Sequence, residues 1–195
     1  MKRTKAEWRR VLLTARAAVP EFARCKGSAA IMAHLRRLSC FEEARSILGY
    51  VALGAEVDPA SLLASMVDSG RAVFVPPSTD FDAEPRWVSW NEHSRGDVVR
   101  GLSARGLAFP VIAIVPGVGF DHCGMRLGRG RGFYDRALTQ LRQAGNVHAV
   151  GLAFECQIVA DLPSDAWDQR VDIVVSDTRV LMATTKVASR GEAGA

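Results

Sequence analysis

Residues 115–136 read VPGVGFDHCGMRLGRGRGFYDR and separate an apolar segment from a predicted helix. The apolar segment, residues 111–115, is a continuous run of aliphatic residues, which predicts a buried strand. After the quoted stretch, apolar residues recur at helical spacing from Phe133 to Leu141. A buried strand, a glycine-rich turn and a helix in this order are typical of an α/β fold.

The same alternation continues on both sides of this stretch. Apolar runs predict further strands at 47–53, 72–75, 147–152 and 171–175, and weak alternation predicts an edge strand at 86–90. Helical spacing predicts helices over 5–18, 21–38 and from Pro59 to Gly70. We therefore predict a single three-layer domain over residues 1–183, with a largely parallel central sheet flanked by helices. The polar tail, residues 184–195, is expected to be frayed.

Composition excludes several classes of protein. The 195 residues are 48% hydrophobic, which is typical of a globular protein. The net charge of +4 suits ligands bearing phosphate or carboxylate groups, and it also suits weak nucleic-acid contact. The four cysteines form no Cys-x-x-Cys pair and His is sparse, so neither a zinc site nor a disulfide framework is expected. The charged N-terminus resembles neither a signal peptide nor a membrane span, so a cytoplasmic protein is predicted.

Three alternate glycines give the central turn its chemical character. Gly128, Gly130 and Gly132 remove three Cβ atoms within five residues, so backbone N–H groups can approach a bulky anion. The N-terminus of the following helix favours the same charge, and arginines at 126, 129 and 131 add charge-assisted contacts. The alternative is a tight turn with solvated arginines. We predict that residues 124–135 bind phosphate, with ATP as the expected ligand.

The stretch VPGVGFD…GMRLGRGRGFYDR closely resembles the signature of the 5-formyltetrahydrofolate cyclo-ligase family, also called methenyltetrahydrofolate synthetases. Lys5-x-x-x-Arg9 resembles the N-terminal basic pair of that family, and the segment GAEVD at 54–58 resembles its acidic motif on the folate side. A C-terminal block that begins GLAF at residue 151 and includes Asp168 also matches in order. The resemblance spans most of residues 5–180.

The resemblance implies a NagB/RpiA/CoA-transferase-like α/β fold and an ATP- and Mg²⁺-dependent ligase. In the implied reaction, 5-formyltetrahydrofolate closes to 5,10-methenyltetrahydrofolate with release of ADP and phosphate. A formamide oxygen is a poor leaving group, and transfer of the γ-phosphoryl group to it gives an imidate phosphate from which phosphate leaves easily. N10 then attacks the activated carbon. The protein mainly has to align the two substrates and neutralise charge.

Residue roles follow from the same resemblance. Lys5 and Arg9 would contact the ATP phosphates and, with Arg131, stabilise phosphoryl transfer. The remaining ATP-binding residues would be Arg126, Leu127, Gly128, Arg129, Gly130, Gly132 and Tyr134. Val51, Glu56 and Tyr134 would line the folate pocket. Asp135 and Asp168 would hold Mg²⁺.

Each role has a structural alternative. Lys5 and Arg9 could be a solvated helix face, and Asp135 could simply complement the helix dipole. Asp168 could be a surface loop acid. Glu56 could be a residue that merely precedes the helix cap, and Tyr134 could be a core aromatic residue.

The substrate side departs from the family pattern. The segment 87–110 is short, and Ala108-Phe109-Pro110 stands where relatives carry an acidic residue before proline. Trp167 replaces a histidine found in many relatives. Trp87 or Trp90 could form an aromatic wall for the folate or could be buried structural residues. An ATP-binding paralogue with another substrate, or a non-catalytic nucleotide- or RNA-binding module, are the alternatives. We expect a monomer with folate and ATP as ligands, and no nucleic-acid partner.

Overall fold

The computed structural model describes residues 3–77, 84–95 and 101–184. The helices are α1 (Lys5–Ala17), α2 (Glu21–Leu35), α3 (Ser39–Glu43), α4 (Ala60–Asp68), α5 (Trp90–Arg95) and α6 (Phe133–Ala144). The strands are β1 (Ser46–Leu48), β2 (Ala72–Val75), β3 (Val88–Ser89), β4 (Val111–Pro116), β5 (Gly119–Asp121), β6 (Arg126–Leu127), β7 (Val147–Leu152), β8 (Ile158–Val159), β9 (Ile173–Val175) and β10 (Val180–Met182). Within these ranges, no helix has both the length and the apolar character of a membrane span. Residues 185–195 of the predicted tail lie outside the described ranges.

The central sheet has seven strands in the order β10-β9-β7-β4-β1-β2-β3. Its five inner strands, from β9 to β2, pair in parallel, and the edge strands β10 and β3 pair antiparallel to their neighbours. The prediction of an α/β fold with a largely parallel sheet is therefore confirmed. Short antiparallel edges limit the backbone available for pairing with another chain.

Alternation along β4 explains why helices cover both faces of the sheet. Ile112 and Ile114 point into a core formed with α2, α3 and α4. Ala113 and Val115 point to the opposite face, where α6 packs. Successive side chains of a strand point to opposite faces, so a continuous apolar strand must be covered twice. The result is a helix–sheet–helix arrangement.

A second, three-stranded sheet in the order β6-β5-β8 was missed from the sequence. It interrupts the stretch that we had treated as one turn between β4 and α6. Buried Asp121 stabilises its hairpin, because Oδ1 accepts hydrogen bonds from the backbone N–H groups of Cys123 and Met125 at 2.8 and 2.9 Å. Leu12 of α1 packs against this sheet in a separate apolar cluster. The loop proper is therefore only residues 128–132.

Other differences are local. The strand predicted at 47–53 ends at Leu48, because the chain leaves the sheet there and the Tyr50 hydroxyl donates a 2.6 Å hydrogen bond to Val57 O. The helix predicted over 21–38 ends at Leu35, and the short helix α3, which was not predicted, follows it and brings Cys40 and Phe41 into the core. The predicted edge strand shortens to β3, and the strand predicted at 171–175 begins at Ile173. The last strand, β10, was not predicted, since it is short and partly exposed.

Candidate functional site

A cleft of about 630 Å³ opens beyond the carboxyl ends of the parallel strands. Tyr50 and Val51 follow β1, Pro76 follows β2, and Gly117 follows β4, and all four line the cleft. The chain passes from β1 to β2 on one side and later returns to β4 on the other. The point where the strand order reverses in this way is the usual ligand site of open α/β sheets, and the volume suits a small-molecule site.

Apart from Trp87 and Trp90, every residue assigned a role from the sequence lines this one cleft. The set comprises Lys5, Arg9, Val51, Glu56, Arg126, Leu127, Gly128, Arg129, Gly130, Arg131, Gly132, Tyr134, Asp135 and Asp168. Location does not establish function, so the individual roles remain predictions. The cleft also contains residues that the sequence did not single out, namely Tyr50, Leu53, Pro76, Pro116, Gly117, Val118, Phe133 and Asp165.

The loop 128–132 depends on glycine conformation and on a contact from α1. Gly130 and Gly132 have φ values of +101° and +65°, in the region that disfavours L side chains. Gly132 is the N-cap of α6, so the first turn of that helix faces the cleft. The Arg9 Nε–H donates to Gly128 O at 2.8 Å, which ties the loop to α1. The glycine conformations thus shape the loop, and the hydrogen bond from Arg9 holds it against α1.

Arg126 and Asp135 form the charged floor of the loop. Arg126 Nη2 lies 3.2 and 3.1 Å from the two carboxylate oxygens of Asp135, and both side chains are largely buried. The same carboxylate accepts from Gln169 N at 3.1 Å. Arg126 Nε, although buried, has no hydrogen-bond partner among the described residues. A buried donor without an acceptor is costly, so it favours binding of an anionic or carbonyl group.

Tyr134 lies directly over this ion pair. The Arg126 guanidinium carbon is 5.5 Å from the centre of its ring, within cation–π range. Burial raises the pKa of the Tyr134 hydroxyl, although Arg126 opposes the shift. The hydroxyl is therefore neutral at physiological pH and can donate a hydrogen bond in the cleft.

Lys5 contacts two aspartates on the opposite rim. Its ammonium lies 2.7 Å from Asp165 and also pairs with Asp168. Burial lowers the pKa of Lys5, but the hydrogen bonds and charges of the two aspartates outweigh it and raise the pKa overall. Lys5 therefore stays charged, and Asp168 already has a cationic partner. Asp165 could have been suspected from its spacing of three residues from Asp168, but nothing local in the sequence joins either to Lys5.

Glu56 marks a different wall of the cleft. Its Oε1 accepts from Arg129 Nη2 at 2.9 Å, and Oε2 accepts from Leu53 N at 3.0 Å. Buried Arg16 lies 3.8 Å from the same Oε1 and donates to Gly117 O at 3.3 Å. Burial lowers the pKa of Arg16, and the Glu56 carboxylate opposes that shift. Glu56 is thus a carboxylate between two arginines, one buried and one half-exposed.

The two tryptophans proposed as a folate wall do not border the cleft. Trp87 is 2% exposed and meets Phe133 edge-on with ring centres 6.2 Å apart. Trp90 packs against the core and stacks on His93. Both side chains pack as structural residues, which is the alternative stated in the sequence analysis. The aromatic residue at the rim is instead Trp167.

The residues of the cleft suit a nucleotide and a hard cation. Lys5, Arg9 and Arg126 provide cationic donors around a loop whose glycines leave room for phosphate oxygens. No group of three or more metal-ligating side chains occurs in the described part of the chain. Mg²⁺ commonly takes only one or two carboxylates together with substrate phosphates, and Asp135 and Asp168 on the same cleft meet that requirement.

Comparison with known proteins shows the family of this chain. Residues 1–177 match the 5-formyltetrahydrofolate cyclo-ligase family. The chain is 26% identical over 193 residues to the 5-formyltetrahydrofolate cyclo-ligase of Mycolicibacterium smegmatis, covering 93% of this chain and 97% of that protein. It is 31% identical over 149 residues to the Escherichia coli K12 enzyme of that name, covering 70% and 80% of the respective chains. The solved structure of Aquifex aeolicus 5,10-methenyltetrahydrofolate synthetase superposes with a TM-score of 0.75 at 26% identity, covering 97% of this chain and 99% of that one.

Proposed function

Since the chain belongs to the 5-formyltetrahydrofolate cyclo-ligase family, we propose that it converts 5-formyltetrahydrofolate and ATP into 5,10-methenyltetrahydrofolate, ADP and phosphate. The protein is a ligase of the methenyltetrahydrofolate synthetase type, as its relatives are. Its dependence on ATP and Mg²⁺ and the chemical intermediate are the parts that we propose. The observation that supports them is one cleft that contains a glycine-rich loop, the carboxylates of Asp135 and Asp168, and a buried Arg126 donor with no partner among the described residues.

On the nucleotide side, the loop 128–132 and the first turn of α6 would bind the phosphates through backbone N–H groups. Arg126 Nε–H would donate to the transferring group, which relieves its lack of a partner in the described residues. Lys5, Arg9 and Arg131 would neutralise charge that develops during phosphoryl transfer. Mg²⁺, held by Asp135 and Asp168, would supply further neutralisation of phosphate charge.

On the folate side, the Glu56 carboxylate would accept hydrogen bonds from the donor-rich pterin ring. Val51 and Leu53, 45% and 47% exposed, provide apolar surface beside it. The Tyr134 hydroxyl, kept protonated by its raised pKa, would lie between the two substrates. A folate bound in this way would lie next to the phosphate loop, as the reaction requires.

The chemistry then consists of two displacements. The formyl oxygen attacks the γ-phosphorus of ATP, the bond to ADP breaks, and the formyl carbon becomes part of an imidate phosphate. N10 adds to that carbon and loses its proton to solvent, the ring closes, and the carbon–oxygen bond breaks with release of phosphate. The protein contributes alignment and charge neutralisation, and the cleft supplies groups for both.

A spectrophotometric assay tests the proposal. Purified protein with 5-formyltetrahydrofolate, ATP and Mg²⁺ should form the absorbance of the methenyl product, and omission of ATP or addition of a chelator should abolish it. No absorbance change with all components present would contradict the proposal. Stabilisation by MgATP but not by folates in a thermal-shift assay would favour a paralogue with another substrate. Binding of short RNA without ATP binding would favour a non-catalytic module.

A further inference from the structure

Arg16 is a buried charge behind the wall of the cleft. It lies in the last turn of α1, and its side chain is 4% exposed. Arg16 is absent from the described residues that line the cleft, yet it contacts two residues that do, Gly117 and Glu56. Removing a guanidinium from water is costly, and a buried ion pair often contributes little net stability. A charge kept in such a position therefore points to a role in the site rather than in the fold.

The backbone of Gly117 gives Arg16 a fixed anchor. The Gly117 carbonyl accepts from Arg16 Nη1 at 3.3 Å and from Nε2 of Gln157, which is 1% exposed, at 3.0 Å. Gln157 Nε2 also donates to the carbonyl of Val118 at 3.0 Å, so one amide spans the turn between β4 and β5. A Cβ at Gly117 would come within 2.5 Å of the Phe120 ring, which shows how closely the turn is packed. The guanidinium is therefore attached to a part of the chain that has little freedom to move.

Glu56 has cations on two sides, and the two differ in how easily they can leave. Arg129 donates to Glu56 Oε1 at 2.9 Å, but its side chain is 50% exposed and can turn towards solvent. Arg16 lies 3.8 Å from the same oxygen and is enclosed by the protein. Burial lowers the pKa of Arg16, Glu56 raises it, and the charge of Arg129 lowers it further, so the two guanidinium groups oppose each other at one carboxylate. A ligand that displaces Arg129 therefore still meets a carboxylate with a cation behind it.

Arg16 and Glu56 together carry no net charge. Once Arg129 has been displaced, this wall of the cleft presents a hydrogen-bond acceptor that is already balanced by a cation. Such a surface favours a neutral group with several N–H donors, because a cationic ligand gains little from a carboxylate whose charge is compensated. The pterin ring is a neutral group of this kind.

We infer that Arg16 is a positioning residue for substrate binding: its charge holds the Glu56 carboxylate towards the β4–β5 turn and weakens the competing contact from Arg129. The inference rests on the proposed function, in which Glu56 accepts hydrogen bonds from the pterin. Arg16 would touch neither substrate and acts only through Glu56. Its loss should therefore reduce affinity for the folate without changing the chemistry that follows binding.

A double-mutant cycle on folate affinity tests the dependence on Glu56. We would measure the Kd of 5-formyltetrahydrofolate by calorimetry, without nucleotide, for wild type, Arg16→Met, Glu56→Gln and the double variant. For groups in contact, we expect Arg16→Met to weaken folate binding about ten-fold in the wild-type background and less than about two-fold in the Glu56→Gln background. Arg16→Lys keeps the cation and should restore the Kd to within about three-fold of wild type. Arg10→Met, at an exposed position on α1, is the matched control and should change the Kd in neither background.

Two further measurements separate this role from a general effect on the fold. In Arg16→Met, kcat at saturating 5-formyltetrahydrofolate should stay within about two-fold of wild type, because excess substrate overcomes a loss confined to binding. The Kd of MgATP should change by no more than about three-fold, since Arg16 meets Arg129 of the loop only across Glu56.

Each other outcome has a definite meaning. Equal folate affinity of Arg16→Met and wild type would overturn the inference while leaving the proposed function intact. An equal loss in both backgrounds would also overturn it, because Arg16 would then act on the fold rather than on Glu56. If Arg16→Met does not fold, Arg16→Gln takes its place in the cycle with the same expected results, since it keeps a donor for Gly117 and removes only the charge. Failure of the wild type to bind 5-formyltetrahydrofolate, with or without nucleotide, would contradict the proposed function itself.

Discussion

The two sides of the cleft are constructed differently. The side that we assign to phosphate is local in sequence: residues 126–135 contain the loop, the helix start and the Arg126–Asp135 pair. The side that we assign to folate is assembled across the chain, because Glu56 meets Arg16 of α1 and Arg129 of the loop. The first is shaped largely by backbone conformation and the second by side-chain ion pairs. Variants should therefore perturb the two sides to different extents.

The largest effect is expected from Asp135→Asn. The substitution keeps the shape of the side chain but removes the anion that pairs with buried Arg126 and that we assign to Mg²⁺. Removal of one charge-stabilising group from an active site typically lowers kcat about 100- to 1,000-fold, so we expect kcat to fall by a factor on the order of 1,000. The methenyl absorbance assay measures this. Asp68→Asn on α4, at an exposed carboxylate, is the control, and a kcat of Asp135→Asn within about ten-fold of wild type would contradict the assignment.

A smaller and more selective effect is expected from Arg9→Ala. Its Nε–H donates to Gly128 O at 2.8 Å, so its loss removes both a loop anchor and a cation. Hydrogen bonds that involve a charged group contribute about 1.5–3 kcal/mol, which corresponds to a rise of roughly 30-fold in the KM for ATP. The KM for folate should hardly change. Arg10→Ala, at the exposed neighbouring position on α1, should leave both constants unchanged. If Arg9→Ala raised the KM for folate and not the KM for ATP, Arg9 would belong to the folate side of the cleft and the assignment would be wrong.

Glu56→Gln should give the opposite selectivity at lower magnitude. Glutamine retains an acceptor but loses the charge that strengthens hydrogen bonds to the pterin, so the KM for folate should rise roughly ten-fold. The Kd for MgATP should change by no more than about three-fold, because Glu56 reaches the phosphate loop only through its ion pair with Arg129. Glu43→Gln, an exposed residue of α3, controls for the loss of one negative charge. Steady-state titration of each substrate gives the result, and a defect confined to ATP would refute the folate assignment.

The contrast between the two sides also explains what could be predicted from the sequence. The parallel sheet was predicted because its strands are apolar on both faces and alternate with helices. The glycine-rich loop was visible because glycines, arginines and helix start lie within ten residues, and the family resemblance supplied the roles. The β5–β6 hairpin was missed because its strands are three and two residues long and their apolar pattern is too short to detect.

Long-range pairing is what the sequence could not reveal. The contacts of Lys5 with Asp165 and Asp168 span 160 and 163 residues, and that of Arg129 with Glu56 spans 73. Such pairs depend on which loops converge at the carboxyl edge of the sheet, and no local pattern encodes that convergence. Arg16 illustrates the same limit, since nothing in its local sequence distinguishes it from the other arginines of α1, yet it is 4% exposed behind Glu56.

The smallest effect, and the one that joins the two sides, is expected from Arg129→Ala. Arg129 belongs to the phosphate loop but donates to Glu56 Oε1 at 2.9 Å, so it occupies the carboxylate that we assign to the pterin. Folate must displace it, and the pair is worth only about 0–1 kcal/mol because the arginine is half-exposed. Without nucleotide, Arg129→Ala should therefore bind 5-formyltetrahydrofolate about three-fold more tightly than wild type. Arg16, 3.8 Å from the same oxygen, keeps a cation beside Glu56 in the variant.

Nucleotide should abolish this difference if phosphates draw Arg129 away from Glu56. A non-hydrolysable ATP analogue should tighten folate binding to wild type about three-fold and leave Arg129→Ala nearly unchanged, since coupling between sites is reciprocal and requires a shared group. Arg129→Lys keeps the charge, so the analogue should tighten folate binding to this variant as it does for wild type. Calorimetric titration of folate with and without the analogue measures all six affinities. If Arg129→Ala instead weakens folate binding, Arg129 is part of the folate site rather than its competitor, and the separation between the two sides does not hold at this residue.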